Sequence, residues 1–314
     1  VVGVEAADGV VVRLVADGFV GPTQIAPVGD GRLLVAELNG AEGDGTGRIV
    51  ALSATDTDDR TVLLDGLVAP TGVAVDGDLL WVMEQRRLSV GPLDDPSDRT
   101  VVADDLPFNG RSEGSLTSRA GGGVWFDTSG RREGDRLADG SGTLWFIADP
   151  NAEPVEYATG FKHAYAHVVD ADGQLWSTEM SDGRLDGVVP PDELVRVEIG
   201  DDFGYPRCVG DRTPVAEFGA TAEECAATPV SQALFEPGAT PTSVAVAPWD
   251  ADLLVVALWN RGEVVTVPRQ GEGAPHAVTT LLTGVRRPQH LVSDGERLVL
   301  SDFDGGRILA LSRP

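Results

Sequence analysis

The chain has 314 residues, 50 of them acidic and 24 basic, for a formal net charge of −26. A surface this negative repels phosphate backbones and anionic lipid headgroups, which argues against nucleic-acid and membrane-surface partners. No apolar run reaches the roughly 18 residues a membrane helix needs. The opening Val1-Val2-Gly3-Val4-Glu5 is not a signal peptide and is compatible with the mature end left after one is removed.

Taken in chain order, one pattern returns: Gly-x-x-x-Pro-Thr-x-(Ile/Val)-Ala, a Gly/Asp turn, then a run such as Leu-Leu-Val-Ala-Glu. The first copy, Gly18 to Glu37, reads GFVGPTQIAPVGDGRLLVAE, and the second, Gly66 to Glu84, reads GLVAPTGVAVDGDLLWVME. The third, Asn109 to Ser129, is degenerate. The fourth spans Gly160 to Glu179, the fifth Pro237 to Leu258 and the sixth Gly284 to Phe303. Each copy reads as two strands joined by a tight turn, where Gly and Asp tolerate the backbone angles required. A third strand such as Gly-Arg-Ile-Val-Ala-Leu (47–52) follows most copies, and a fourth such as Thr61-Val62-Leu63-Leu64 precedes the next. Four strands per unit, recurring every 43 to 51 residues, predict an all-β, six-bladed β-propeller. Copies four and five lie farther apart, 77 residues from Ala164 to Pro241. The extra stretch, about 180–235, reads as a loop excursion on a single propeller domain covering 1–314. It holds Cys208 and Cys225, which the residues alone leave open as a disulfide or two thiols.

In a propeller the innermost strand of each blade lines the central channel, and the loops feeding these strands open at one face. At that place stand Gly21-Pro22, Ala69-Pro70, Arg111-Ser112-Glu113, Lys162-His163, Ala239-Thr240 and Arg286-Arg287. Lys162, the only lysine in the chain, joins Arg111, Arg286 and Arg287 in a cationic ring. Such a ring suits an anionic ligand, carboxylates above all. His163, Tyr165 and His167 alternate along one strand and share a face. Their spacing covers about 13 Å, which disfavours a shared metal ion. His163 reads as a base or ligand contact near the mouth, and His167 as a buried, hydrogen-bonded histidine.

These residues resemble the quinoprotein glucose/sorbosone dehydrogenases, six-bladed propellers that use pyrroloquinoline quinone (PQQ) and calcium. Ala158-Thr159-Gly160-Phe161-Lys162-His163 resembles that family's A-x-G-[FLH]-R-N. Trp176-Ser177-Thr178-Glu179, Pro191-Asp192-Glu193-Leu194 and Phe203-Gly204-Tyr205-Pro206-Arg207-Cys208 resemble its W-x-[TS]-E…P-[DE]-E-L…Y-G-[WY]-P-x-C. Asp252 to Arg261 resembles its D-L-[FL]-V-A…W-N-R, and Arg287-Pro288 its R-P before the sixth inner strand. The resemblance implies PQQ held by Arg111, Lys162, Tyr165, Arg286 and Arg287. It implies calcium in the loop Met180 to Gly183, at Ser181 and Asp182. It also implies a Cys208–Cys225 disulfide, a sugar or related polar substrate, a monomer or homodimer, and a secreted or periplasmic location.

Two positions depart from the family pattern. The segment Gly110 to Leu116 carries no histidine where the family has its catalytic base. Arginine stays protonated, so Glu113 and His163 are the expected catalytic substitutes. The family's quinone-binding arginine is Lys162 here, which keeps the charge and loses the two-pronged fork. The implied activity is hydride transfer from a sugar hydroxyl to the quinone. The missing histidine favours an alternative, a PQQ-independent hydrolase, lyase or isomerase using the same mouth. A third alternative is a non-catalytic binding propeller, whose mouth would be closed rather than open and cationic.

Overall fold

The computed structural model describes residues 1–53, 59–110, 114–181, 183–270 and 274–313. Six antiparallel sheets form the six blades of a β-propeller. The first blade is Pro22–Pro27, Leu33–Glu37, Gly47–Leu52 and Arg60–Leu67, in that order from the axis outward. The second runs from Gly72–Asp76 to Thr100–Ala103, and the third from Thr117–Ser118 to Val155–Ala158. The fourth comprises His167–Val169, Leu175–Glu179, Asp192–Val197 and Ser231–Phe235. The fifth runs from Pro241–Val246 to Thr279–Thr283. The sixth joins both ends of the chain: Pro288–Asp294, Arg297–Asp302 and Arg307–Ser312 take Val11–Ala16 as their outer strand, with Val12 opposite Leu311.

The apolar runs of the repeat become second strands because neighbouring blades cover both of their faces. Leu33–Glu37, Val124–Thr128 and Leu175–Glu179 are buried at every position. The core lies between blades. Leu34, Ile49 and Leu64 pack on Val73, Leu80 and Val82 of the next blade, and Val299 and Ile308 pack on Ile25, Val35 and Val50 across the closure.

The Pro-Thr of the repeat has a role in this closure of blade on blade. Thr23 Oγ1 donates to the carbonyl of Pro70 (2.7 Å), and Thr242 Oγ1 to that of Pro288 (2.8 Å). Each hydroxyl thus ties an inner strand to its neighbour.

The excursion differs in detail from its reading as one loop. Asp192–Val197 inside it is the third strand of the fourth blade. The added chain is therefore 180–191 and 198–230. The second piece carries a small hairpin, Cys208–Val209 with Thr213–Pro214, and a helical turn, Ala222–Ala226, capped by Thr221 Oγ1. A Cys208–Cys225 disulfide joins the two.

Candidate active site

The acid that ends the second strand fixes the loop entering each inner strand. Glu37 accepts the Val20 amide and Glu84 the Val68 amide, each at 2.8 Å. Asp127 Oδ1 accepts Gly114 N–H (2.9 Å), and Glu179 accepts the amides of Lys162 and His163. In the fifth blade Leu258 stands at the corresponding place, and Asp192 of the fourth blade takes the Thr240 amide instead (2.7 Å).

In the sixth blade Asp302 accepts the Arg286 amide, and three of these acids also have an arginine. Arg48 pairs with Glu37, Arg307 with Asp302, and Arg99 approaches Glu84 at 3.7 Å. Among the described residues, blades three and four break this pattern. Asp127 Oδ2 lies 3.3 Å from His163 Nε2 of the next blade. Glu179 has a second acid, Glu193, as its cross-strand neighbour. Burial pushes both Glu179 and Glu193 above the usual carboxylate range, Glu179 strongly.

The same two blades border a cleft of about 450 Å³. Arg131, Arg132, Lys162 and Arg184 line it with Phe108, Asn109 and Tyr205. Arg131 and Arg132 follow the second strand of blade three, where Arg132–Glu133 opens a short hairpin. Arg184 comes from the first added loop, its Nη1 donating to the Gly187 carbonyl. Arg132 also lies over the Phe218 ring of the disulfide-linked insertion.

Beneath the mouth, the axis is crossed by hydrogen bonds. Gln289 Nε2 of blade six donates to Tyr165 Oη (2.6 Å), and Gln24 of blade one donates to the Leu116 carbonyl (2.6 Å). Thr117 Oγ1 donates to the His167 carbonyl (2.6 Å) and lies 2.7 Å from His167 Nδ1. Its one proton is used, so His167 Nδ1 carries the hydrogen of that second bond. His290 Nδ1 accepts the Ile25 amide.

Of the residues expected from sequence, Lys162 lines the cleft. His163 lies buried against Asp127, 3% exposed, with its ring edge-on to Tyr165. Arg287 pairs with Asp304 (2.9 Å) and lies over Trp259, and Arg286 stands beside it on the sixth-blade rim. Neither is among the lining residues. Ser181 borders a separate cavity of about 20 Å³ with Glu179, Glu193 and Tyr205, its amide held by Asp192 (2.7 Å). Arg111, Glu113 and Asp182 lie outside the described residues. Among those described, no cluster of three or more His, Cys, Asp or Glu side chains is arranged to hold a metal ion.

Sequence reasoning passed over Arg131, Arg132, Arg184, Asp127 and the Glu179–Glu193 pairing. It followed the loops before the inner strands and, after a second strand, only Met180 to Gly183. The loops after the second strands open at the same face: Trp259 N–H donates to the Thr240 carbonyl, and Phe303 N–H to that of Arg287.

No protein-family model and no curated protein matches the sequence. Solved structures do match. An iodide structure of a Trichoderma reesei protein of Carbohydrate-Active Enzymes Family AA12 superposes with a TM-score of 0.81 at 17% identity, over 99% of this chain and 98% of that one. The holo PQQ domain of pyranose dehydrogenase from Coprinopsis cinerea gives 0.77 at 18%, over 99% and 97%. The PQQ-bound aldose sugar dehydrogenase of Streptomyces coelicolor gives 0.75 at 18%, over 98% and 99%. Along essentially its whole length, the chain thus has the six-bladed propeller fold of these AA12 and PQQ-binding sugar dehydrogenase structures.

Proposed function

We propose that this chain is an oxidoreductase of the PQQ-dependent sugar dehydrogenase type. The cleft carries the reading. In a chain of net charge −26, four cations, Arg131, Arg132, Lys162 and Arg184, converge on one cavity of about 450 Å³. That volume is ordinary for a small-molecule site. PQQ is a flat tricarboxylate, so guanidinium forks and one ammonium match its charge. Phe108 and Tyr205 line the same cleft. When bound, PQQ supplies the hydride acceptor. The chain's own part is to grip the carboxylates and to take the proton from the sugar hydroxyl, a task assigned to His163 or Glu113. In this reading Arg286, Arg287 and Tyr165 shape the remaining mouth.

One calcium ion is proposed by resemblance, beside the loop that carries Ser181. Calcium takes hard oxygen ligands, and the 20 Å³ cavity has room for a single water-sized occupant. Ser181 and Glu193 border it, and Glu193 faces Glu179 across the strand pair. A cation there would offset the cost of keeping Glu193 charged. The disulfide supports a secreted or periplasmic location. A sugar or related polar small molecule is the proposed substrate.

The absent histidine in 110–116 favours a second reading, PQQ-independent chemistry in the same mouth. The deciding experiment is titration of metal-free protein with PQQ, with and without calcium, followed by quinone absorbance and then by dye reduction with an aldose panel. The expected outcome is calcium-dependent binding and turnover, with binding weakened about tenfold or more in Arg131→Ala. Calcium alone should raise the melting temperature, and Glu193→Gln should abolish the rise. Absence of PQQ binding at micromolar concentrations sinks the dehydrogenase reading.

A further inference from the structure

The departure of blade three from the acid–arginine pattern has a specific geometry. Glu37 accepts the Val20 amide and Asp302 the Arg286 amide of their entry loops, and each has a permanently charged arginine beside it. Asp127 holds the Gly114 amide in the same way through Oδ1. Its Oδ2 is turned instead toward an imidazole, His163 Nε2, at 3.3 Å across the gap between blades three and four. Both residues are more than nine-tenths buried, and each of the two facing atoms has no hydrogen-bond partner among the described residues, so the 3.3 Å approach is the one polar contact either makes there. The local backbone leaves little freedom. A Cβ on Gly114 would fall 1.9 Å from the Tyr165 carbonyl oxygen, so only glycine lets blade three approach blade four this closely. The Ser115 amide donates to that same carbonyl (2.8 Å). His163 is fixed from its other side by the Glu179 carboxylate on its own amide (3.0 Å).

We infer that Asp127 is a positioning residue for His163, orienting it so that Nε2 carries the proton and Nδ1 is the nitrogen left to accept one. A carboxylate facing one ring nitrogen selects the tautomer with hydrogen on that nitrogen, and frees the other as acceptor. The function of the pair rests on the oxidoreductase reading above. In it, the proton-accepting group sits on the entry loop of blade four, directly after cleft-lining Lys162, rather than on that of blade three, where histidine is absent.

The chain has four histidines, which makes the test clean. Long-range proton–nitrogen NMR spectra of histidine-labelled protein report the tautomer of each ring, and His163→Asn assigns the His163 signals. The expected result is His163 protonated at Nε2 in the parent protein and at Nδ1 in Asp127→Asn, whose amide oxygen still serves the Gly114 amide and whose NH2 then faces Nε2 as a donor. In the PQQ-loaded protein, Asp127→Asn should lower kcat on the order of 100-fold, with KM within a fewfold and quinone absorbance on binding unchanged. His163 protonated at Nδ1 in the parent protein, or a tautomer indifferent to Asp127→Asn, overturns the inference. If PQQ fails to bind, the oxidoreductase reading falls and the NMR result still decides the Asp127–His163 geometry. A folded Asp127→Asn protein is checked by its melting curve. If it fails to fold, the parent spectrum alone decides.

Discussion

His167 and His290 are both buried in the interior of the ring, and burial favours the neutral form of each. Burial pushes His167 down to about 4, with Asp127 nearby opposing the shift, and His290 down to about 3, with His167 adding to it. A histidine lowered from its ordinary value stabilises the fold fully above that value, about 6.5, because the unfolded chain binds the proton first as pH falls. That stability is lost progressively from about pH 6.5 down through the folded values. Glu179 and Glu193 work in the opposite sense. Their raised values contribute stability at acid pH that is lost as pH rises beyond the ordinary carboxylate range. The net acid slope therefore mixes two signs, and a single substitution separates them. In His290→Gln, where an amide oxygen can still serve the Ile25 N–H, the decline in melting temperature between pH 6.5 and 4 should flatten. The difference should reach the order of 3 kcal/mol at the acid end. An unchanged slope would assign the acid sensitivity to other groups.

Among the elements, the insertion at 198–230 stands apart in how it is held. Few of its apolar side chains are buried, chiefly Cys208, Val215 and Cys225. The disulfide closes a separation of 17 residues, a constraint worth about 3 kcal/mol in the chain-entropy account. Replacing both cysteines by alanine should open this segment locally. Limited proteolysis should then cut within 198–230 while the main melting transition of the blades moves little; cuts distributed through the blades would contradict a local role. Cleft affinity should also weaken, because Tyr205 of the insertion lines the cleft and Phe218 holds Arg132.

The same element explains what the sequence could and could not reveal. Five copies of the repeat were legible because apolar runs such as Leu33-Leu34-Val35-Ala36 and their turns recur with little change. The third copy was weak because its inner strand is only Thr117–Ser118. The strand Asp192–Val197 was hidden because acidic residues, Asp192 and Glu193, stand where blades one, five and six have Gly-Arg or Gly-Glu. Lys162 could be placed from register alone. Arg131, Arg132 and Arg184 sit in loops of unequal length with no period to follow. The approach of Asp127 to His163 depends on the gap between blades, which no local pattern encodes.

At the scale of the whole molecule, the propeller is a ring whose last joint is made by distant parts of the chain. Val11–Ala16 pairs with Arg307–Ser312, and Glu5–Ala6 pairs with Thr279–Thr283 on the edge of blade five. Ala16 joins Ile25, Val299 and Ile308 in one core cluster, while Val12 packs beside Leu309 and Leu311 in another. Because each core lies between two blades, loosening one joint loosens both neighbours. Six sheets closed in a ring also leave no inner strand as an exposed edge. Removing residues 1–16 would strip blade six of its outer strand and uncover the backbone edge of Arg307–Ser312. The expected cost is on the order of 5 kcal/mol, which for a chain of this size lowers the melting temperature by roughly 5–10 °C. Adding the excised segment back as a free peptide should restore part of that loss in proportion to its concentration, since binding only to the folded ring stabilises it by mass action. A truncated protein that melts at the parent temperature would show that blades one to six close without this strand. The stability of the ring would then have to come from the inner-strand ties, Thr23 to Pro70 and Thr242 to Pro288, rather than from the pairing of its ends.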